Sequence, residues 1–64
     1  MSNDLLKYIA GKVQEEIKVI SDDLALGGAK DHGEYKYACG IIRGLMIASS
    51  ILADTAQRME NDDD

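Results

Sequence analysis

The chain has 64 residues, enough for one small domain, and a folded protein of this size leaves a large share of its surface exposed. Its single cysteine, Cys39, excludes an internal disulfide, and together with the single histidine, His32, it cannot supply the four ligands of a structural zinc site. Seven basic and twelve acidic residues give a net charge of −5 without a basic patch, so direct binding to nucleic acid is not expected.

The first predicted element is a long amphipathic helix over residues 3–26. Its main apolar residues recur at alternating steps of four and three, the spacing of one face of a helix. These residues are Leu6, Ala10, Val13, Ile17, Ile20 and Leu24. Leu5 and Ile9 widen this stripe on one side. Ser2 or Asn3 is expected to cap the first turn, because a short polar side chain can accept a free amide there.

A turn at residues 27–30 separates this helix from a second one, predicted over residues 31–60. The pair Gly27-Gly28 ends the first helix because glycine accepts the left-handed conformation found at helix C-termini. Asp31 and Glu34 have the spacing of a capping box at the start of the second helix. Apolar or small residues then recur at helical spacing, and they are Tyr35, Ala38, Ile42, Leu45, Ser49, Leu52, Ala56 and Met59.

Two long helices joined by a short turn predict an all-α fold, an antiparallel two-helix hairpin. Residues 61–64 are predicted to form a frayed acidic tail. Residues 54–64 hold five acids and one base, whereas residues 1–53 hold seven acids and six bases, so the hairpin itself is nearly neutral. We expect the hairpin to associate into a helical bundle or to dock on a larger partner.

The second helix carries more apolar surface than one neighbouring helix can cover, and this excess is the candidate interface. The residues assigned to it are Tyr35, Tyr37, Gly40, Ile41, Arg43, Gly44, Ile47, Ala48 and Ile51, and Met46 extends its apolar surface. A membrane span is not expected, because the apolar run of 17 residues (37–53) contains an arginine, two glycines and two serines.

Several of these residues have two interpretations. Gly40, Gly44 and Ala48 share one helix face and allow close approach of another backbone, which belongs either to another molecule or to the first helix of the hairpin. Arg43 either pairs with a carboxylate, in the first helix or on a partner, or extends its charged end into water. The tyrosines Tyr35 and Tyr37 either anchor an interface or pack over the end of the hairpin.

No pattern of residues indicates catalysis. His32 is interpreted as a solvent-facing turn residue and Cys39 as a small apolar residue in the packing, since neither has a recognisable catalytic partner. The sequence therefore predicts a non-enzymatic protein with no catalytic or metal-binding residue and no cofactor. The polar start Met1-Ser2-Asn3-Asp4 does not predict a leader peptide, and the lone thiol is typical of a reducing cytoplasm.

The stretch 31–45, DHGEYKYACGIIRGL, together with the acidic end of the chain, resembles small helical-hairpin proteins encoded among the structural genes of tailed phages. In those proteins an aspartate and a tyrosine precede a glycine, a glycine-leucine pair follows, and acids close the chain. The resemblance covers about half of the chain and concerns packing residues, so it transfers no catalytic residue.

This resemblance implies a virion accessory of the head, portal or tail that acts through helix packing. The expected partners are the protein itself, as a homo-oligomer, and a larger virion protein, without a membrane. The expected location is the host cytoplasm during assembly, or the virion. The alternative is a small acidic phage inhibitor or regulatory module that binds a host protein, with the acidic tail contacting a basic surface.

Overall fold

The computed structural model describes the backbone of residues 2–62 and the side chains of residues 4–61. Helix α1 spans Ser2–Ala25 and helix α2 spans His32–Asp62, with no strand in that range. The two helices pack against each other as antiparallel neighbours and form a rod whose Cα atoms extend 51 × 14 × 11 Å. The predicted all-α, two-helix hairpin is confirmed.

The helix bounds differ from the predicted ones by one or two residues. The α2 helix continues through Asn61 and Asp62, which were assigned to the tail, because no glycine or proline interrupts the sequence after Gly44. The tail residues Asp63 and Asp64, like the side chains of the predicted caps Ser2 and Asn3, lie outside the described residues.

The contact between the helices follows the apolar stripe of each. The half-buried stripe residues are Leu6, Ala10, Val13, Ile17, Ile20 and Leu24 in α1, and Ala38, Ile42, Leu45, Ser49, Leu52, Ala56 and Met59 in α2. We call this contact the seam. Tyr35, expected to begin the α2 stripe, is instead 50% exposed. The regular heptad spacing explains why the other predicted stripe residues lie in the seam, because it keeps one face of each helix toward the other over many turns.

Backbone and side-chain caps close both helix ends at the turn. Gly27 has a φ of 84°, and the amides of Gly27 and Gly28 donate to the carbonyls of Leu24 (3.1 Å) and Asp23 (2.8 Å). This is a Schellman motif, which satisfies carbonyls at the C-terminus of α1. At the start of α2 the Asp31 carboxylate accepts the amide of Glu34 at 2.8 Å, as expected for a cap.

The second half of the predicted capping box is displaced by one residue. The Glu34 carboxylate accepts the backbone amide of Lys30 at 3.1 Å rather than that of Asp31. The bond therefore extends the cap into the turn and ties the turn to the first residues of α2.

The positive φ of Gly27 allows a direct test of the turn conformation. We expect Gly27→Ala to lower the free energy of unfolding by about 1–2 kcal/mol, since a Cβ disfavours the left-handed region by that amount. Gly11→Ala is the matched control, because Gly11 lies within α1 and a Cβ there meets no atom within 4 Å. The control should raise the free energy of unfolding by about 0.5–1 kcal/mol. Urea denaturation at fixed protein concentration measures the free energy of unfolding of both variants. An equal loss of this free energy in both would contradict the left-handed conformation assigned to Gly27.

One hairpin does not bury any side chain among residues 4–61. The seam residues are only half-buried, and large apolar side chains lie on the outside of both helices, including Val19 (61% exposed) and Ile51 (60% exposed). The hydrophobic effect therefore stabilises the isolated hairpin less than it stabilises a domain with a closed core.

Candidate interaction surface

The hairpin has two broad sides, and the contacts between the helices identify one of them. There Gln14 Nε2 donates a hydrogen bond to the Ser49 hydroxyl at 2.7 Å, and Lys7 Nζ lies 3.8 Å from Glu60 Oε1. We call this the polar side. The Gln14–Ser49 bond also places these two residues at the same level along the rod.

The opposite side carries the additional apolar residues. Since α1 and α2 are antiparallel, the flanks that turn away from Gln14 and Ser49 lie together across the seam. We call this side the apolar face, and it comprises Leu5, Ile9, Lys12, Glu16, Val19 and Asp23 of α1 with Tyr37, Gly40, Ile41, Gly44, Ile47, Ala48, Ile51, Thr55 and Arg58 of α2. Ile41 is 38% exposed and Tyr37 is 74% exposed, so the face is open to solvent.

Seven of the nine predicted interface residues thus share one face, and the other two lie elsewhere. Tyr35 lies on the α2 flank that carries Ser49, where its ring centroid is 6.4 Å from that of His32. Arg43 is exposed on the part of α2 away from α1, and no hydrogen bond or ion pair joins it to any residue the structure describes. The bond from Arg43 to a carboxylate of α1 is therefore not observed. Met46, which was expected to extend the interface, lies on the same flank as Tyr35.

The two glycines of the apolar face are not required by the packing of α1 on α2. A Cβ added to Gly40 or Gly44 meets no atom within 4 Å, so both positions face open space. Glycine within a helix costs about 0.5–1 kcal/mol relative to alanine. The geometry therefore does not support close approach of α1 at these two glycines, and close approach of another molecule stays a prediction.

The interface predicted from the sequence contains no residue of α1. Only Leu5 and Ile9 were noted, as a widening of the stripe, and Val19 stood among charged neighbours. Between them, Lys12 Nζ lies 3.4 Å from Glu15 Oε2 and 5.6 Å from the ring centroid of Tyr8. Glu16 makes neither a hydrogen bond nor an ion pair within residues 4–61. The available signal was the heptad register of Leu5, Ile9, Lys12, Glu16 and Val19 beside the seam.

Two titrating groups outside the apolar face have shifted pKa values. A hydrogen bond with the Cys39 thiol, together with the charge that Cys39 gains on ionisation, raises the pKa of the Tyr35 hydroxyl. Lys18 Nζ donates to Asp22 Oδ2 at 2.8 Å, and this bond and the carboxylate charge raise the pKa of Lys18. Both groups are solvent-exposed, so solvent screens these contacts.

A groove of ≈ 420 Å³ lies on the polar side near the free ends of the helices. Its lining residues are Leu6, Lys7, Ala10, Leu52, Ala53, Ala56, Gln57 and Glu60. Small alanines leave this gap, and the Lys7–Glu60 pair spans one edge of it. Within the described residues, no three His, Cys, Asp or Glu side chains converge as metal ligands. We assign no reaction to the groove.

Helix α2 is long and apolar enough to cross a membrane by length and composition, with a mean hydropathy of 1.4 within His32–Asn61. Core helices of soluble proteins and signal sequences meet the same criterion, and none of this window is buried in the hairpin. Comparison of the chain with protein-family models, curated proteins and solved structures found no match. A function must therefore be proposed from the geometry of this hairpin and the pattern of its residues.

Proposed function

We propose that this protein is a non-enzymatic structural or assembly protein that acts by packing its apolar face against another helical surface. The observation that carries the proposal is the combination of an exposed apolar face with a hairpin that buries no side chain among residues 4–61. Burying this face removes apolar area from water, which is the main favourable term in association. The free glycines Gly40 and Gly44 allow a partner helix to approach closely.

From the resemblance of residues 31–45 to small tailed-phage proteins, we further propose a more specific role. The chain is then a virion accessory of the head, portal or tail, which associates with itself or with a larger virion protein. Such assembly takes place in the host cytoplasm, and the assembled protein stays in the virion.

The alternative, an acidic inhibitor of a host protein, has less support. Two acids of the C-terminal half already have basic neighbours, since Asp54 lies 3.3 Å from Arg58 and Glu60 lies 3.8 Å from Lys7. An acidic surface that binds a basic partner needs uncompensated charge over a wide area, and residues 1–53, with seven acids and six bases, do not provide it.

The solution mass over a range of protein concentrations tests the proposed function. We expect light scattering to show a dimer or a higher oligomer of the 7.0 kDa chain, with a helical circular dichroism signal that increases with concentration. A poorly folded or aggregating chain would point to the larger virion protein as the partner. A fully helical monomer at every concentration would contradict the proposal, because its apolar face would then need no cover.

A further inference from the structure

We propose that the apolar face is covered by a second copy of the same chain, in a face-to-face dimer in which α1 packs antiparallel on α1 of the second copy and α2 on α2. This inference rests on the proposed function and names the partner of the same face. The result is a four-helix bundle with one two-fold axis perpendicular to the helices.

The charges within the α1 part of the face favour this arrangement. Lys12 and Glu16 lie one helical turn apart at the centre, with Ile9 before them and Val19 after them. A two-fold axis at the level of Gln14 brings Lys12 of each copy opposite Glu16 of the other, and Ile9 opposite Val19. Two charge pairs form symmetrically, and Glu16, which has no partner among the described residues of its own chain, gains one.

The same axis also gives complementary contacts between the α2 helices. The Gln14–Ser49 hydrogen bond places the axis on α2 beside Ser49, between Ser49 and Ser50. At that level Ala48 of one copy lies opposite Ile51 of the other, and Gly44 lies opposite Thr55. A small residue thus faces a larger one at each of these positions, as in well-packed helix interfaces. The charge pairing on α1 and the size pairing on α2 are independent, and one axis gives both. Toward the ends of the face, the same axis places Asp23 opposite Leu5 and Arg58 opposite Ile41.

The other face-to-face arrangement, with the axis along the helices, packs α1 on α2 of the second copy. At the level set by Gln14 and Ser49, Lys12 then faces Ile51 and Glu16 faces Ala48. Glu16 would leave water without an oppositely charged neighbour, and Lys12 would keep only Glu15 of its own chain, which is unfavourable. A lipid surface presents the same difficulty, because the two charges lie at the centre of the face.

The footprint of the whole hairpin is close in size to a standard protein interface. The Cα atoms extend over 51 × 14 Å in the plane of the two helices. This corresponds to an area on the order of 700 Å² before side chains are included, against about 800 Å² buried per partner in a standard protein interface.

Charge reversal on the full chain tests the arrangement. Lys12→Glu and Glu16→Lys each place like charges opposite each other twice, so each variant alone should self-associate at least ~10-fold more weakly than the wild type. In an equimolar mixture of the two variants, every pair is again complementary. We expect a one-to-one heterodimer with an affinity within about 3-fold of the wild-type dimer. Sedimentation equilibrium gives the affinities, and native mass spectrometry with one variant labelled with ¹⁵N gives the composition.

Lys18→Glu is the matched control. It reverses a lysine of the same helix and breaks an i,i+4 ion pair, Lys18–Asp22, outside the apolar face, so its dimer affinity should equal that of the wild type. If each single variant self-associates weakly and the equimolar mixture does not regain the wild-type affinity, the antiparallel α1–α1 contact is overturned.

The remaining outcomes separate this inference from the proposed function. A wild-type oligomer whose affinity is insensitive to both reversals would overturn this inference and leave the proposed function standing. A stably folded wild-type monomer would overturn both. Wild-type protein that floats with phosphatidylcholine vesicles, and does not self-associate without them, would overturn the inference in favour of a membrane surface.

Discussion

Gly44→Leu should abolish self-association of the hairpin without reducing the helicity of the isolated chain. In the hairpin, a Cβ at Gly44 meets no atom within 4 Å, so the leucine is accommodated and replaces a poor helix former with a good one. In an assembly, the leucine occupies space that a partner helix needs. Overpacking costs about 1–3 kcal/mol per site, and a two-fold dimer repeats it, so the dissociation constant should rise at least ~30-fold.

Gly11→Leu is the control for this result. It makes the same change in a helix, at a position that is also open but lies outside the apolar face. Light scattering should show wild-type association for Gly11→Leu and loss of association for Gly44→Leu. Helicity should be compared at the lowest concentration, where the wild type also dissociates. Equal association of the two variants would show that the face around Gly44 makes no contact.

The second large effect is expected at the seam, where Ile17→Asp should unfold the chain at all accessible concentrations. Ile17 is half-buried between the helices, and an ionised carboxylate there loses hydration without gaining a partner. We expect a loss of at least ~3 kcal/mol, from lost apolar burial together with the cost of the charge, and a small hairpin has little more stability than this.

Val19→Asp is the matched control, two residues away in α1 and 61% exposed on the apolar face. It should weaken association and leave the helicity of the dilute chain at the wild-type value. Circular dichroism and light scattering over one concentration series measure both properties. If Ile17→Asp retained wild-type helicity, the seam would not be the contact that holds the hairpin together.

The sequence was sufficient to predict the hairpin because its seam depends on one regular signal. From Leu6 to Leu24 the heptad spacing never breaks, and Gly27-Gly28 is the only strong helix stop between the two stripes. The C-terminal end of α2 was less predictable, because acids such as Asp62 favour fraying but do not by themselves end a helix.

The interaction surface was predicted only in its α2 half. Tyr35 and Arg43 were included for their chemical character, although their positions on the helix lie outside the arc of Tyr37 and Ile51. The α1 half requires knowledge of which flank of α1 lies beside which flank of α2. Antiparallel packing sets this pairing of flanks, and the Gln14–Ser49 hydrogen bond shows which flank of each helix lies on the polar side.

The lack of any buried side chain in residues 4–61 of a single hairpin has a consequence for the lifetime of the protein. A copy that has no neighbour keeps a small free energy of unfolding, so a considerable fraction of such copies is open at any time. Proteases cleave the open population, whereas a packed copy opens rarely. Copies made in excess would then be degraded selectively. Turnover would in this way match the amount of the protein to the number of binding sites in its assembly.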